Sequence, residues 1–266
     1  MTNDTRVDLT VVIPVYNEAA NLEPLMLELE QALRQTDRSF EVVCVDDRST
    51  DRSLEVLREL QATRPFLRIA RHRVNSGESA AQATGFARAR GDIVITMDAD
   101  QQNDPADLPR LLAALGPDVA AVCGVRGVRE DNWVRRISSR IANGFRNAMT
   151  GDRVADAGCT YRALRRSALE ELPVFNGLHR FLPTILRYRG YRVVELNVNH
   201  RPRTRGQSKY GIGNRLWRGL ADCFAMRWYR TRCVRGDRAA REGNDLDGQQ
   251  ANASRRGDTL GSTPRP

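Results

Sequence analysis

Past the polar start Met1–Asp8, apolar and polar positions fall into two alternating rhythms. Leu9–Val15 (LTVVIPV) is short and almost uniformly apolar, which predicts a buried strand ended by Pro14 and Tyr16-Asn17. From Ala19 to Gln35, Leu22, Leu25, Met26, Leu29 and Leu33 recur at helical spacing on one face. Phe40–Val45 is a second strand, and Ser49/Thr50 are expected to cap a helix running to about Ala62. Leu67–Arg71 follows as a strand, then a helix from Ser76-Gly77 to about Arg90, with Gly91 expected to end it. Asp92–Met97 is a strand, Asp104-Pro105 opens a helix, and Asp118–Val125 is a further strand. Such alternation is that of a mostly parallel α/β sheet flanked by helices.

The later half is less regular. Trp133–Met149, Arg162–Leu172 and His179–Arg189 read as helices and Tyr191–Val198 as a strand. A Gly/Arg/Ser-rich loop, His200–Gly213, precedes a helix over Asn214–Arg232 with Leu216, Leu220, Phe224 and Trp228 on one face. Beyond Val234 only Leu246 and Leu260 are large aliphatics, too few to offset ordering entropy. The expected division is a flexible N-terminus (1–8), one α/β domain (9–213), an amphipathic helix (214–233) and a disordered tail (234–266). There are no internal repeats.

Composition narrows the classes. No stretch approaches the roughly 20 apolar residues that span a bilayer, and the start has no signal-peptide pattern, so a cytoplasmic protein without its own membrane anchor is expected. The five cysteines form no CxxC pair and His is scarce, which argues against zinc and for free thiols, with Cys44 and Cys123 in the core. The net charge is +9, and the tail beyond Cys233, with six Arg against five acids, carries little of it. That surplus suits an anionic partner, whether membrane, nucleic acid or phosphorylated substrate, or simply a solvated basic surface. Lys209 is the lone lysine among many arginines, which fits a position needing a compact point charge, or chance.

In a parallel α/β sheet, ligands sit outside the carboxyl ends of the strands. Three such ends are acidic here: Tyr16-Asn17-Glu18, Asp46-Asp47-Arg48-Ser49-Thr50-Asp51 and Asp98-Ala99-Asp100-Gln101-Gln102. Caps and turns account for Asp51 and Asp104. They account poorly for Asp98 and Asp100, which repel each other unless a divalent cation sits between them; oxygen donors suit Mg²⁺ or Mn²⁺. There is no GxxxxGK[ST] loop and no GxGxxG turn, so a nucleotide is expected to be held by an acidic metal clamp.

The ordered set VVIPVYNE, VDDRSTD, Asn75-x-Gly77, ARGD (Ala89–Asp92) and DADQQNDP resembles family 2 glycosyltransferases of the GT-A fold. DAGCTYRAL (Asp156–Leu164), GLHRFLP (Gly177–Pro183), GYRVVEL (Gly190–Leu196) and HRPRTRGQSKYG (His200–Gly211) resemble the branch that glycosylates dolichol and undecaprenyl phosphates. The likeness covers about Leu9 to Arg232. It implies that Pro14, Tyr16 and Glu18 line the base and ribose pocket and that Asp47 contacts the nucleoside. Asp98 and Asp100, with Ala99 between them, would hold the metal and the diphosphate, and Gln102 would complete the metal shell. Arg126 would lie near the donor sugar and acceptor phosphate, and Arg203 and Lys209 would grip the diphosphate. Arg180 is a weaker candidate for the acceptor phosphate.

The same resemblance implies inverting, metal-dependent transfer from a nucleotide-sugar, GDP-mannose or a UDP-sugar, to a polyprenyl phosphate. A phosphate monoester is largely ionised at neutral pH, so no general base is required. The loop His200–Gly213 is expected to close over the donor. The aromatics and arginines of Asn214–Arg232 have the composition of an interfacial helix, which would place the protein peripherally at the inner face of the cell membrane. Two alternatives remain open. A hydroxyl acceptor would need a base, and Asp156 is the first candidate; a non-catalytic nucleic-acid or membrane-binding module would rest on charge alone, and nothing resembles a nucleic-acid motif.

Overall fold

The computed structural model describes residues 7–127, 143–202 and 213–233, with side chains from 219 onward in the last segment. At its centre is β1 (Leu9–Val15), whose alternate residues are buried on both faces. It pairs in parallel with β2 (Phe40–Asp46) on one side and β4 (Ile93–Thr96) on the other. β3 (Leu67–Arg71) extends β2 in parallel. Past β4 comes β6 (Arg162–Arg165), antiparallel to both β4 and β5 (Ala121–Arg126), and β7 (Val193–Val198) closes the edge parallel to β5. The seven-stranded order is β3-β2-β1-β4-β6-β5-β7.

Helices cover both faces, as a two-sided apolar sheet requires. On one face α1 (Ala19–Arg34), α2 (Ser53–Thr63) and α4 (Leu108–Ala114) pack Leu22, Met26, Leu29, Leu57 and Leu111 against Val11, Ile13, Val42 and Ile95. On the other, α3 (Glu78–Arg88) lies over β1 and β2, while α6 (Leu178–Tyr188) brings Phe181, Leu182 and Ile185 to Val94, Cys123 and Leu164. A helix over 143–150, α5, carries Arg146, whose guanidinium lies 4.9 Å from the Phe181 ring. α7 (Gly213–Arg232) docks on α6 through Cys223, Met226 and Tyr229. No helix of the described residues is long and apolar enough to cross a membrane.

Three local expectations are corrected. Arg162–Leu172 is not a helix: Arg162–Arg165 is the antiparallel strand that fills the gap between β4 and β5, and only a 3₁₀ turn, Arg166–Leu169, follows. Gly91 does not end α3, which stops at Arg88 with Ala89 already extended. Gly91 is needed because a Cβ there would stand 2.6 Å from the backbone of Leu9 and Thr10. α2 is opened by Asp51, which takes the Ser53 N–H at 2.9 Å, while Ser49 accepts from the Asn17 N–H. On α7, Phe224 and Trp228 face outward, both more than half exposed. The cysteines are free thiols as expected, and burial pushes Cys44 up to about 12 and Cys123 up to about 11. Of the helix expected over Trp133–Met149, only the part from 143 lies within the described residues, and the tail 234–266 lies outside them.

Candidate active site

The order β2-β1-β4 sets the three acidic strand ends side by side, where the chain changes direction across the sheet. Each end is tied to its neighbour. The Asp47 N–H donates to the Val15 carbonyl at 2.8 Å. Asn17, held at φ 54°, accepts the Thr50 N–H on Oδ1 at 2.7 Å, and the Glu18 N–H donates to Ser53 Oγ at 2.8 Å. Asp47 Oδ1 accepts the Ser76 N–H at 2.8 Å and Oδ2 accepts the Gly77 N–H at 2.7 Å. His72 Nδ1 lies 2.7 Å from Asp47 Oδ1 and Nε2 lies 2.9 Å from Thr84 Oγ1. A carboxylate can only accept, so Nδ1 carries the proton. Asp47 thus clamps the 72–77 loop around the ends of β1 and β2, where Pro14, Tyr16 and Glu18 are half-buried.

β4 leads directly into Asp98-Ala99-Asp100. The Asp98 N–H donates to Asn103 Oδ1 at 3.1 Å, and Asp100 Oδ1 accepts the Gln102 N–H at 3.1 Å across Gln101, whose φ is 61°. Asp100 and Ala99 are buried. Burial first, and then the neighbouring Asp100 charge, push the Asp98 carboxyl up to about 6; the Thr160 hydroxyl and the charges of Arg126 and Arg162 act the other way. Two carboxylates in this state gain most from a cation between them.

The residues fit a hard divalent cation. Asp98 and Asp100 supply carboxylate oxygens. The Gln102 side-chain amide nitrogen is turned to the Arg201 carbonyl at 3.3 Å, which leaves its oxygen without a hydrogen bond among the described residues. No three His, Cys, Asp or Glu of the described residues cluster as a metal cage, so further ligands would be water or a bound diphosphate.

Arg126 ends β5 beside this clamp and is gripped by Asp156. Its Nε donates to Oδ2 and its Nη2 to Oδ1, both at 2.7 Å, and its backbone N–H reaches Oδ2 at 3.2 Å. Asp156 Oδ1 also accepts the Gly158 N–H at 3.1 Å. Arg180, at the start of α6, is paired with Asp222 of α7 at 3.3 Å, beside His179, whose Nδ1 lies 2.8 Å from Ser79 Oγ. Arg203 and Lys209, with most of the loop His200–Gly213, lie outside the described residues.

Three further residues of the quoted motifs are given no role by the resemblance. His200 follows β7, bridges to Asn103 and sets Nε2 3.4 Å from the Gln102 side-chain nitrogen. Arg201 pins the same corner through Glu28 at 2.5 Å and Asp104 at 2.7 Å. Arg162, wholly buried on β6, lies directly across from Thr96. His200 and Arg201 lie in the HRPRTRGQSKYG run and Arg162 in DAGCTYRAL, but neither motif says which neighbours these side chains meet.

Comparison with known proteins places this geometry. The family model described as Glycosyl transferase family 2 matches residues 10–173. An undecaprenyl-phosphate 4-deoxy-4-formamido-L-arabinose transferase from Edwardsiella ictaluri is 39% identical over 206 residues, 77% of this chain and 63% of that protein. The protein of the same name from Pseudomonas paraeruginosa is 42% identical, over 76% of this chain and 60% of its own length. The chain therefore spans less than two thirds of these relatives. Among solved structures, glucosyl-3-phosphoglycerate synthase from Mycobacterium tuberculosis, in complex with Mn²⁺, UDP and glucosyl-3-phosphoglycerate, superimposes with a TM-score of 0.63 at 20% identity, covering 84% of this chain and 80% of that one. A mannosyltransferase from Pyrobaculum calidifontis, in complex with GDP-mannose and Mn²⁺, gives 0.56 at 24% identity, covering 86% and 65%. At those identities the likeness is one of fold, and it is the GT-A-like α/β fold expected from the motifs.

Proposed function

The chain belongs to glycosyl transferase family 2, and from that premise we propose that it transfers a sugar from a nucleotide-sugar to a polyprenyl phosphate. The observation that carries the acceptor is the Arg126–Asp156 pair. Asp156 is the first candidate base for a hydroxyl acceptor, yet both its oxygens accept from one guanidinium and each also accepts a backbone N–H. A carboxylate so engaged is held as the partner of the guanidinium. The same pair presents a fixed cation beside the metal clamp, which suits an acceptor that arrives as an anion and needs no deprotonation. The names of the relatives, undecaprenyl-phosphate sugar transferases, support the same acceptor class.

In this reading Asp98 and Asp100, with Gln102, hold Mg²⁺ or Mn²⁺, which would supply charge neutralisation of the leaving diphosphate. Pro14, Tyr16 and Glu18 line the nucleoside pocket, and Asp47 shapes its wall. Arg126 orients the acceptor phosphate against the anomeric carbon, Arg203 and Lys209 neutralise the diphosphate, and Arg180 is held in reserve by Asp222. Such positioned charges are commonly worth about a hundredfold in rate each. The Mn²⁺ complexes of the structural neighbours, one with UDP and one with GDP-mannose, support a divalent metal and a nucleotide-sugar donor.

The reading extends to peripheral attachment at the inner membrane face, where the acceptor resides. It is supported by α7, which exposes Phe224 and Trp228 together with Arg227, Arg230 and Arg232. Nucleic acid is not a partner in this reading.

The test is transfer of label from a panel of UDP- and GDP-sugars to undecaprenyl phosphate with Mg²⁺ or Mn²⁺. Labelled lipid from one donor, lost with chelator and in Asp100→Asn, is the expected result. Metal-dependent donor turnover that labels only saccharide hydroxyls would overturn the acceptor assignment.

A further inference from the structure

Among the described residues, Arg162 is the largest side chain that is completely buried. It stands on β6, antiparallel to both its neighbours, in register with Thr96 two residues before Asp98. Its Nη2 donates to the Cys159 carbonyl at 2.7 Å, while Nε and Nη1 have no hydrogen-bond partner among the described residues. Among the described residues no carboxylate pairs with it, and the nearby Arg146, itself 8% exposed, adds a second buried cation rather than a counter-charge. A guanidinium withdrawn from water without an ion pair is costly, and the sequence offers apolar residues of similar size. Packing alone therefore gives no reason for an arginine here.

The surroundings give one. The strap Cys159–Tyr161 follows Asp156 in the chain, and three successive carbonyls tie it down. Arg162 takes the first, the Thr96 hydroxyl the second and the Gly124 N–H the third. Arg162 thus stands on the strand next to β4, two positions along from Asp98 in register, and its charge acts on the Asp98 carboxyl.

We propose that Arg162 is a positioning residue that selects the metal–diphosphate complex over the free metal. Its charge offsets one of the two clamp carboxylates, so a bare divalent cation meets a weaker acidic site, while the anionic diphosphate of the donor is attracted. Metal and nucleotide are thereby favoured as a unit. This rests on the nucleotide-sugar reading above, since it needs a diphosphate ligand.

The sign of the effect separates it from a structural role. Mn²⁺ alone, and then a nucleoside diphosphate with Mn²⁺ saturating, are titrated calorimetrically into the wild type, Arg162→Met and Arg162→Lys, with folding checked by circular dichroism. The expected result for Arg162→Met is tighter free Mn²⁺ and weaker nucleoside diphosphate, each by roughly tenfold, the order set by one unit charge across low-dielectric protein. Arg162→Lys, which keeps the charge and loses the fork, is expected to stay near wild type for both. Weakening of both ligands together in Arg162→Met would overturn the proposal, as would failure of both Arg162→Met and Arg162→Gln to fold while Arg162→Lys folds, because either assigns Arg162 to structure. If the wild type itself binds no nucleoside diphosphate with any metal, it is the nucleotide-sugar reading that falls.

Discussion

Arg126 and Asp156 meet fork to fork, with both N–H···O distances at 2.7 Å and the Asp156 carboxylate further braced by the backbone N–H groups of Arg126 and Gly158. The pair links the end of β5 to the DAGCTYR strap, and its geometry is bidentate, which fixes the plane of the guanidinium as well as its place. If that plane orients the acceptor phosphate, charge alone will not replace it. Arg126→Lys is expected to lose about a hundredfold in kcat, and Asp156→Asn to lose a similar factor by releasing one side of the fork. Donor binding, measured by titration of the nucleoside diphosphate with Mn²⁺, should change little in either. Asp156→Asn with full activity would remove the pair from the mechanism.

Gly158 tests the same geometry from the other side. A Cβ at this position would stand 2.7 Å from Arg126 Nη2. Gly158→Ala is expected to push the guanidinium aside and lower transfer by roughly tenfold or more, the usual consequence of misplacing a reacting partner by about 1 Å, while thermal stability stays close to wild type. A steady-state assay with a melting curve reads both.

The clamp carries a pH signature. Burial and then the Asp100 charge push Asp98 up to about 6. Metal binds the carboxylate, so a proton competes with it. Mn²⁺ affinity is expected to be flat above that value and to fall by about tenfold per pH unit below it. Asp100→Asn removes one of the two causes, so the midpoint moves down even as overall affinity drops. Calorimetric Mn²⁺ titrations from pH 5 to pH 8 (roughly the range over which such a group changes charge) check both; an upward move in Asp100→Asn would contradict the repulsion.

Much of this was legible in the sequence because local and global signals agree. LTVVIPV and LRIAR became β1 and β3 at the predicted residues, and the acidic strand ends fell together once β2, β1 and β4 proved adjacent. Arg162–Leu172 was not legible. Leu164, Ala168 and Leu169 recur as on a helix, and the strand forms only because its backbone completes the hydrogen bonding of β4 and β5, which lie far away in sequence. Which face of α7 docks on the domain was not legible for a related reason: a single apolar stripe says that a face avoids water, not which surface covers it. The neighbours on α6 select Cys223, Met226 and Tyr229, leaving Phe224 and Trp228 outside. His200 reaches Gln102 across 98 positions, a closeness no motif contains.

Gly91 shows how tightly the strand entry is built. Its absent side chain leaves room for the Leu9–Thr10 backbone, and its N–H donates to Thr10 Oγ1 at 2.8 Å. Gly91→Ala must move a backbone rather than a flexible side chain. It is expected to destabilise the fold by about 2 kcal/mol, read as a lower urea midpoint with an unchanged slope.

Glu41, buried in the middle of β2's entry, governs stability in acid. Burial alone would raise its pKa. Hydrogen bonds from the Arg90 and Arg68 guanidinia, the Arg90 N–H and the Thr10 hydroxyl outweigh that, so its pKa lies below the ordinary value of 4.5. The folded value is below the unfolded one, so the group's stabilisation is complete above about 4.5 and is lost as the pH falls through its lowered pKa. Glu41→Gln keeps the shape and removes the charge. It should cost about 3 kcal/mol near neutrality, the scale of a broken buried ion pair, and far less at pH values where Glu41 is itself protonated. Urea unfolding of both proteins at neutral and acidic pH measures this convergence. A constant difference across the two conditions would show that Glu41 holds β2 by shape, without its charge.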